Sequence, residues 1–196
     1  EGKRVGIIGA GATTVQMLPE VAKDAASVTV FQRTPNFVLP AMQRPMTAEW
    51  EKDIKENYDE IIAKCRNHMF GMAFDSPVGR NLADTPADEV QKIFEDNWNG
   101  SFRWVFETFD DLLVDPNANM MASEFIINKM KERVDDPEIA ELLTPDVGEY
   151  PLFAKRPPLD HGYMEAFNRD NVQLVDIKNR EPIVEITETG LRTTEN

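Results

Sequence analysis

The stretch that most limits how this chain can fold is its start, Lys3-Arg4-Val5-Gly6-Ile7-Ile8-Gly9-Ala10-Gly11-Ala12-Thr13-Thr14-Val15-Gln16. Residues 5–8 form a short apolar run with β-branched members, the pattern of a strand buried on both faces. Gly9-Ala10-Gly11 follows at once. The spacing of Val15, Leu18, Val21 and Ala22 predicts a helix over 12–23, with Pro19 bending or shortening it. Strand, glycine turn and helix N-terminus together make a cradle for a diphosphate. The first glycine permits the tight turn, the second lets the backbone approach the anion, and the first helical N–H groups face it. Thr14 stands where the third small residue of the Gly-x-Gly-x-x-Gly pattern belongs. The match is therefore incomplete, and the helix is expected to sit slightly farther from its strand, weakening nucleotide binding.

A second strand is predicted over 27–31, Ser-Val-Thr-Val-Phe, which places strand, turn, helix and strand within about thirty residues, the size of a βαβ unit. Its crossover should be right-handed and its strands parallel. The end of that second strand selects the nucleotide. An acid there would accept the ribose hydroxyls of NAD and repel a 2′-phosphate. Here Gln32-Arg33-Thr34-Pro35 supplies an amide, a guanidinium and a hydroxyl instead. Arg33 can grip a phosphate through two charge-assisted hydrogen bonds, and Thr34 can add another, so NADP(H) is preferred over NAD(H).

The net charge of −14 is uneven: residues 47–150 hold 24 Asp/Glu against 10 Lys/Arg, and the remainder holds 11 of each. One segment thus carries the whole acidity, as a helical insertion with a solvated surface would. Such a surface repels nucleic acid and anionic membranes. No apolar run is long enough to span a membrane and no signal peptide precedes the first strand. The one cysteine, Cys65, excludes an internal disulfide and fits a reducing, cytoplasmic compartment. The abrupt start, one residue before Gly2-Lys3-Arg4, reads as that of an excised piece of a longer protein.

Pro35, Pro40 and Pro45 mark an irregular exit from the sheet, after which helical periodicity takes over. Trp50, Ile54, Tyr58, Ile61, Ile62, Cys65 and Met69 share one face of a long helix capped by Thr47. Thr85-Pro86, Asp115-Pro116 and Asp136-Pro137 open three more, each a capping residue followed by proline. The aromatic stretch 102–109 could line an apolar ligand site or form core, and core is the favoured reading. His68 and His161 have no partner at ligand spacing, so no metal site is indicated. Cys65 sits on an apolar face as a structural thiol.

After Pro151 the sheet pattern resumes. A short helix is expected over 162–168, a strand over 172–177, and a hairpin turning at Thr189-Gly190. The predicted fold is α/β: a Rossmann-like domain with a parallel sheet, discontinuous over 1–44 and 151–196, interrupted by an all-helical insertion over 45–150.

In combination, several motifs resemble the Baeyer–Villiger monooxygenases. They are Gly2-Lys3-Arg4-Val5 leading into Gly9-x-Gly11-Ala12-Thr13 with Val15-Gln16, then Val30-Phe31-Gln32-Arg33-Thr34-Pro35-Asn36-Phe37. Phe153-Ala154-Lys155-Arg156-Pro157 follows, with Gly162-Tyr163 and 167–172 after it. Phe102-Arg103, Thr108-Phe109, Asp136-Pro137-Glu138 and Ala140 are similar to the cyclohexanone monooxygenase type. The resemblance covers essentially the whole chain.

It implies an enzyme that uses FAD, NADPH and O2 to convert ketones into esters or lactones. It carries Arg33, Thr34 and Lys155 onto the 2′-phosphate, and Gln16 onto the dinucleotide beside the glycine turn. Arg156 becomes the active-site arginine, a fixed positive charge suited to anionic intermediates. Read without the family, Lys155-Arg156 is a solvated basic pair before two prolines. The family's flavin fingerprint and its Phe-x-Gly-x-x-x-His-x-x-x-Trp-Pro signature are not in this sequence. The resemblance thus implies that both ends fall at junctions with a FAD domain, which would be this chain's partner, and that the piece alone is inactive. The alternatives are the matching domain of an N-hydroxylating flavin monooxygenase, against which Lys155-Arg156 and the helical insert count, or a non-catalytic dinucleotide-binding module.

Overall fold

The computed structural model describes residues 1–195; Asn196, the last residue of the predicted nucleotide-binding domain, lies outside them. In chain order the elements are β1 (Arg4–Ile8), α1 (Ala12–Asp24), β2 (Ser27–Gln32), β3 (Leu39–Pro40), α2 (Ala48–Glu56), α3 (Tyr58–Asn67), α4 (Ala87–Asn97), α5 (Phe102–Glu107), α6 (Pro116–Lys131), α7 (Pro137–Leu143), β4 (Leu159–Asp160), α8 (Tyr163–Ala166), β5 (Val172–Asp176), β6 (Ile183–Thr187) and β7 (Gly190–Thr193). By its contacts the chain forms two units, Glu1–Leu39 with Met120–Asn196, and Pro40–Asn119.

The sheet unit is built on a parallel three-stranded sheet in the order β1-β2-β5. Arg4 pairs with Ser27 through to Ile8 with Phe31, and Val28 pairs with Val172 through to Gln32 with Asp176. The α/β class and parallel sheet expected from the pattern are therefore present. The burial expected for β1 is not: Gly6 is exposed and Ile8 is 59% exposed. β2 is the central strand and β1 an edge, so one face of β1 opens on a cleft of about 780 Å³ lined in part by Ile186 and Leu191 of the β6–β7 hairpin.

α1 packs on α8 and β4 through Val15, Leu18 and Ala22, all fully buried. It runs unbroken through Pro19 for 13 residues, so the proline does not shorten it. Pro19 faces the start of α8, where a Cβ on Gly162 would lie 3.7 Å from its ring.

Residues 120–150 belong with the sheet, so the insertion boundary read at 150 falls at 119. Side chains explain this. Gln32 Nε2 donates to Leu142 O at 2.5 Å, and Tyr150 Oη donates to Pro35 O at 3.0 Å. Arg133 meets the buried Asp160 at 2.6 Å, its other nitrogens pairing with Glu165. The acidity is consequently shared: Pro40–Asn119 holds 16 Asp/Glu against 8 Lys/Arg, and residues 120–150 carry eight further acids into the sheet unit.

In the helical unit the single long helix expected over 47–69 is two. The break falls at Asn57 (φ −104°, ψ 16°), whose side-chain amide donates to Asp53 O and Oδ1, both at 3.0 Å, alongside its backbone N–H to the same carbonyl. Neither α2 nor α3 has a buried residue, so their apolar stripe is only partly covered. Thr47 does cap α2, accepting from Trp50 N–H at 3.1 Å. At α4 the N-cap is Pro86, because the Thr85 hydroxyl donates instead to Asn81 O at 2.8 Å. Asp115 and Asp136 cap α6 and α7 as expected. The aromatic stretch is largely core: Trp104, Val105 and Phe109 are buried, and Trp104 Nε1 donates to Phe94 O at 2.9 Å. Among the described residues no helix is long and apolar enough to cross a membrane.

Candidate functional site

The glycine turn closes β1 onto α1 by two devices. Gly9 has φ +101°, a conformation that strains any residue with a side chain, and its N–H donates to Phe31 O at 2.8 Å. Thr14, 5% exposed, donates its hydroxyl to Gly9 O at 2.9 Å. The residue that breaks the small-residue pattern thus adds a tie between the first turn of α1 and the glycine loop.

Gly11 is different. Its φ of −84° suits any residue, and a Cβ there would meet nothing within 4 Å. A side chain would fit here without clash or strain, so the open space matters to something that comes from outside. Gly11, Ala12, Thr13 and Gln16 are all exposed. No side chain caps the N-terminus of α1, and its first turn holds no acid. The sequence, backbone and surface therefore agree on an open, electropositive helix start that fits a diphosphate.

At the end of β2 the structure separates the three groups that the sequence placed side by side. Gln32 is 4% exposed and bound to Leu142 O, so its amide serves the packing of α7. Arg33 is exposed and makes no hydrogen bond or ion pair with the described residues, and Thr34 is half-buried. A cleft of about 400 Å³ opens here, lined by Arg33, Pro35, Glu138, Asp176, Lys178 and Arg180 among others. Two of its three cations are engaged: Arg180 pairs with Glu138, and Lys178 Nζ lies 3.9 Å from Glu149. Asp176 is turned inward. Burial works to raise its pKa, but the N–H groups of Lys178 and Asn179 at 2.9 and 3.1 Å outweigh this and hold it below the usual carboxylate range. Arg33 is the cation of this cleft left facing outward.

Lys155, 122 positions later, is brought to the same loop. Its Nζ lies 3.8 Å above the ring of Tyr150, whose hydroxyl reaches Pro35 O at 3.0 Å and Asn36 Oδ1 at 3.1 Å. Arg156 is exposed, and its guanidinium has no hydrogen-bonding partner among the described residues; its backbone oxygen accepts from Asn36 Nδ2 at 3.3 Å. Tyr150 and Asn36 are the residues that sequence reasoning overlooked as connectors. A tyrosine five positions before a basic pair was the available signal, and periodicity gives it no prominence.

No family model matches the chain. It is 43% identical over 98% of its length to cyclohexanone 1,2-monooxygenase from Acinetobacter sp, and 41% identical over 99% to cyclopentanone 1,2-monooxygenase from Comamonas sp. (strain NCIMB 9872). It is 39% identical over 97% of its length to a Baeyer–Villiger monooxygenase from Pseudooceanicola batsensis. It spans 35% of the length of each of the first two relatives. Phenazine N-monooxygenase PhzNO1 from Lysobacter antibioticus is 40% identical over 98% of the chain. Among solved structures, OTEMO in complex with FAD and NADP covers the whole chain with a TM-score of 0.93 at 36% identity. An oxidized steroid monooxygenase bound to NADP does so with 0.92 at 38%. In both, the chain matches 36% of the other protein.

Proposed function

We propose that the sheet unit binds NADP(H) for a flavin-dependent oxygenation of a ketone by O2 to an ester or lactone. The observation that carries this is Arg33: an unpaired guanidinium at the end of β2, where a carboxylate would select NAD. In this reading Gly9, Gly11, Ala12 and Thr13 receive the pyrophosphate at the start of α1, with Gln16 beside it. Arg33, Thr34 and Lys155 hold the 2′-phosphate. Arg156 supplies a fixed positive charge to the reaction centre, where charge develops on oxygen. FAD, held by a separate domain that is this unit's partner, supplies the oxygen-activating chemistry when bound, and no residue of this chain is assigned to it. The single cysteine supports a cytoplasmic enzyme.

A second reading concerns the atom that is oxygenated. The N-monooxygenase is nearly as similar to this chain as the ketone oxygenases, over the same length. The match runs over 98% of the chain, the helical unit included, so the helical unit does not separate nitrogen from ketone substrates, and the nicotinamide-nucleotide reading is common to both. The test is Arg33→Ala. Loss of a charge-assisted bond should lower NADP+ affinity by about 1.5–3 kcal/mol and leave NAD+ nearly unchanged. An unaltered ratio of the two affinities would remove Arg33 from the site.

A further inference from the structure

The segment that follows Arg33 and Thr34 and the segment that bears Lys155 meet, and one side chain touches both. Tyr150 directs its hydroxyl at Pro35 O and Asn36 Oδ1, sharing its single proton between these two acceptors. Its ring edge meets Phe37 at 5.5 Å between centroids, at an interplanar angle of 77°. Its ring face carries the Lys155 ammonium at 3.8 Å. The amide of Asn36, fixed by the tyrosine on one side, reaches Arg156 O at 3.3 Å on the other.

From this geometry we propose that Tyr150 is a positioning residue for NADP-over-NAD selectivity, seating Lys155 beside the Arg33–Thr34 loop before the nucleotide arrives. The proposal rests on the reading that this loop takes the 2′-phosphate. A free lysine side chain would have to be ordered from many rotamers on binding, which costs affinity. Resting on an aromatic face, the ammonium is held by the ring's negative quadrupole while its outward N–H groups stay available to an anion. The ring remains neutral under ordinary conditions: burial, reinforced by the charge of Glu149, pushes the Tyr150 hydroxyl up to about 12. The hydroxyl in turn fixes the loop that bears Arg33, so one residue sets the spacing of two cations that must grip one phosphate.

The experiment is a calorimetric titration of NADP+ and NAD+ into the wild-type chain, Tyr150→Phe, Tyr150→Leu, Lys155→Ala and the Tyr150→Leu/Lys155→Ala double variant. Tyr150→Leu, which removes ring and hydroxyl, should weaken NADP+ about tenfold and NAD+ less than about twofold. Tyr150→Phe keeps the ring under Lys155 and should recover most of the loss. In the Lys155→Ala background Tyr150→Leu should cost little more, since the residue it positions is gone. Equal weakening of both nucleotides by Tyr150→Leu, or an undiminished effect without Lys155, would overturn the proposal and leave Tyr150 a packing residue. If Tyr150→Leu does not fold, the same comparison, alone and in the Lys155→Ala background, is made with Tyr150→Met, which fills the space without an aromatic face. If Arg33→Ala and Lys155→Ala both leave the NADP+/NAD+ ratio unchanged, the phosphate reading fails and the role of Tyr150 falls with it.

Discussion

Asp111 of the helical unit and Arg33 of the sheet unit are both charged residues on connecting segments, and they differ in what they hold. Asp111, 9% exposed, accepts Leu82 N–H at 2.9 and 3.0 Å and Ala83 N–H at 3.5 Å. Its neighbour Asp110 accepts the N–H groups of Val78, Gly79 and Arg80 between 2.7 and 3.3 Å. These carboxylates fasten a loop that has no regular ladder of its own, so their bonding capacity is used internally. Arg33 has no such partner, Gly11 has space that no neighbour fills, and the start of α1 has no side-chain cap. Polar capacity turned inward marks structure; capacity left facing outward marks a place for a ligand.

The largest test of that contrast lies in the helical unit. Asp111→Ala would orphan the buried N–H of Leu82 and should cost about 1–3 kcal/mol of stability while leaving nucleotide affinity unchanged. A thermal melt with and without NADP+ measures both at once, and a loss of binding without destabilisation would break the distinction.

The two glycines sharpen it further. Gly9→Ala forces a side chain into φ +101° and should cost about 1–3 kcal/mol of stability. Gly11→Ala fits its backbone and should cost at most about 1 kcal/mol, as a poorer N-cap. It should nevertheless weaken NADP+ and NAD+ alike by about tenfold, because its methyl occupies the anion's approach. Equal melting temperatures for Gly9→Ala and wild type, or wild-type binding by Gly11→Ala, would each contradict the assignment.

How far these features could be read in advance follows from their range. The strand–turn–helix start, the Asp115 and Asp136 caps and the β6–β7 hairpin depend on neighbours within a few residues, and the sequence pattern carries them. The edge position of β1 does not: an apolar run looks the same whether one flank or two are paired. The helix breaks at Asn57 although its apolar spacing continues across it, since periodicity registers side-chain faces and not local backbone angles. Arg33 stood out by type and position, whereas Lys155 entered only through the family resemblance. Gln32 turning to Leu142, 110 residues away, and Tyr150 linking Pro35 to Lys155 are long-range pairings that no local rule exposes.

The smallest effect is the dependence on pH. Asp176 and Glu165 are both held below the usual carboxylate range, in each case against the opposing pull of burial. Their folded-state pKa values lie below the unfolded ones, so the stability they add is complete above about pH 4 and drains away as the pH falls lower. Asp176→Asn should flatten that acid limb of the stability curve and leave neutral-pH nucleotide binding intact. A steeper limb would show that the Lys178 and Asn179 contacts do not favour the ionised form.

If the outward-facing guanidinium of Arg33 selects a 2′-phosphate, the wild-type chain titrated calorimetrically with NADP+ and with NAD+ binds NADP+ more tightly by about 1.5–3 kcal/mol. Equal affinities, or a preference for NAD+, would refute that selection.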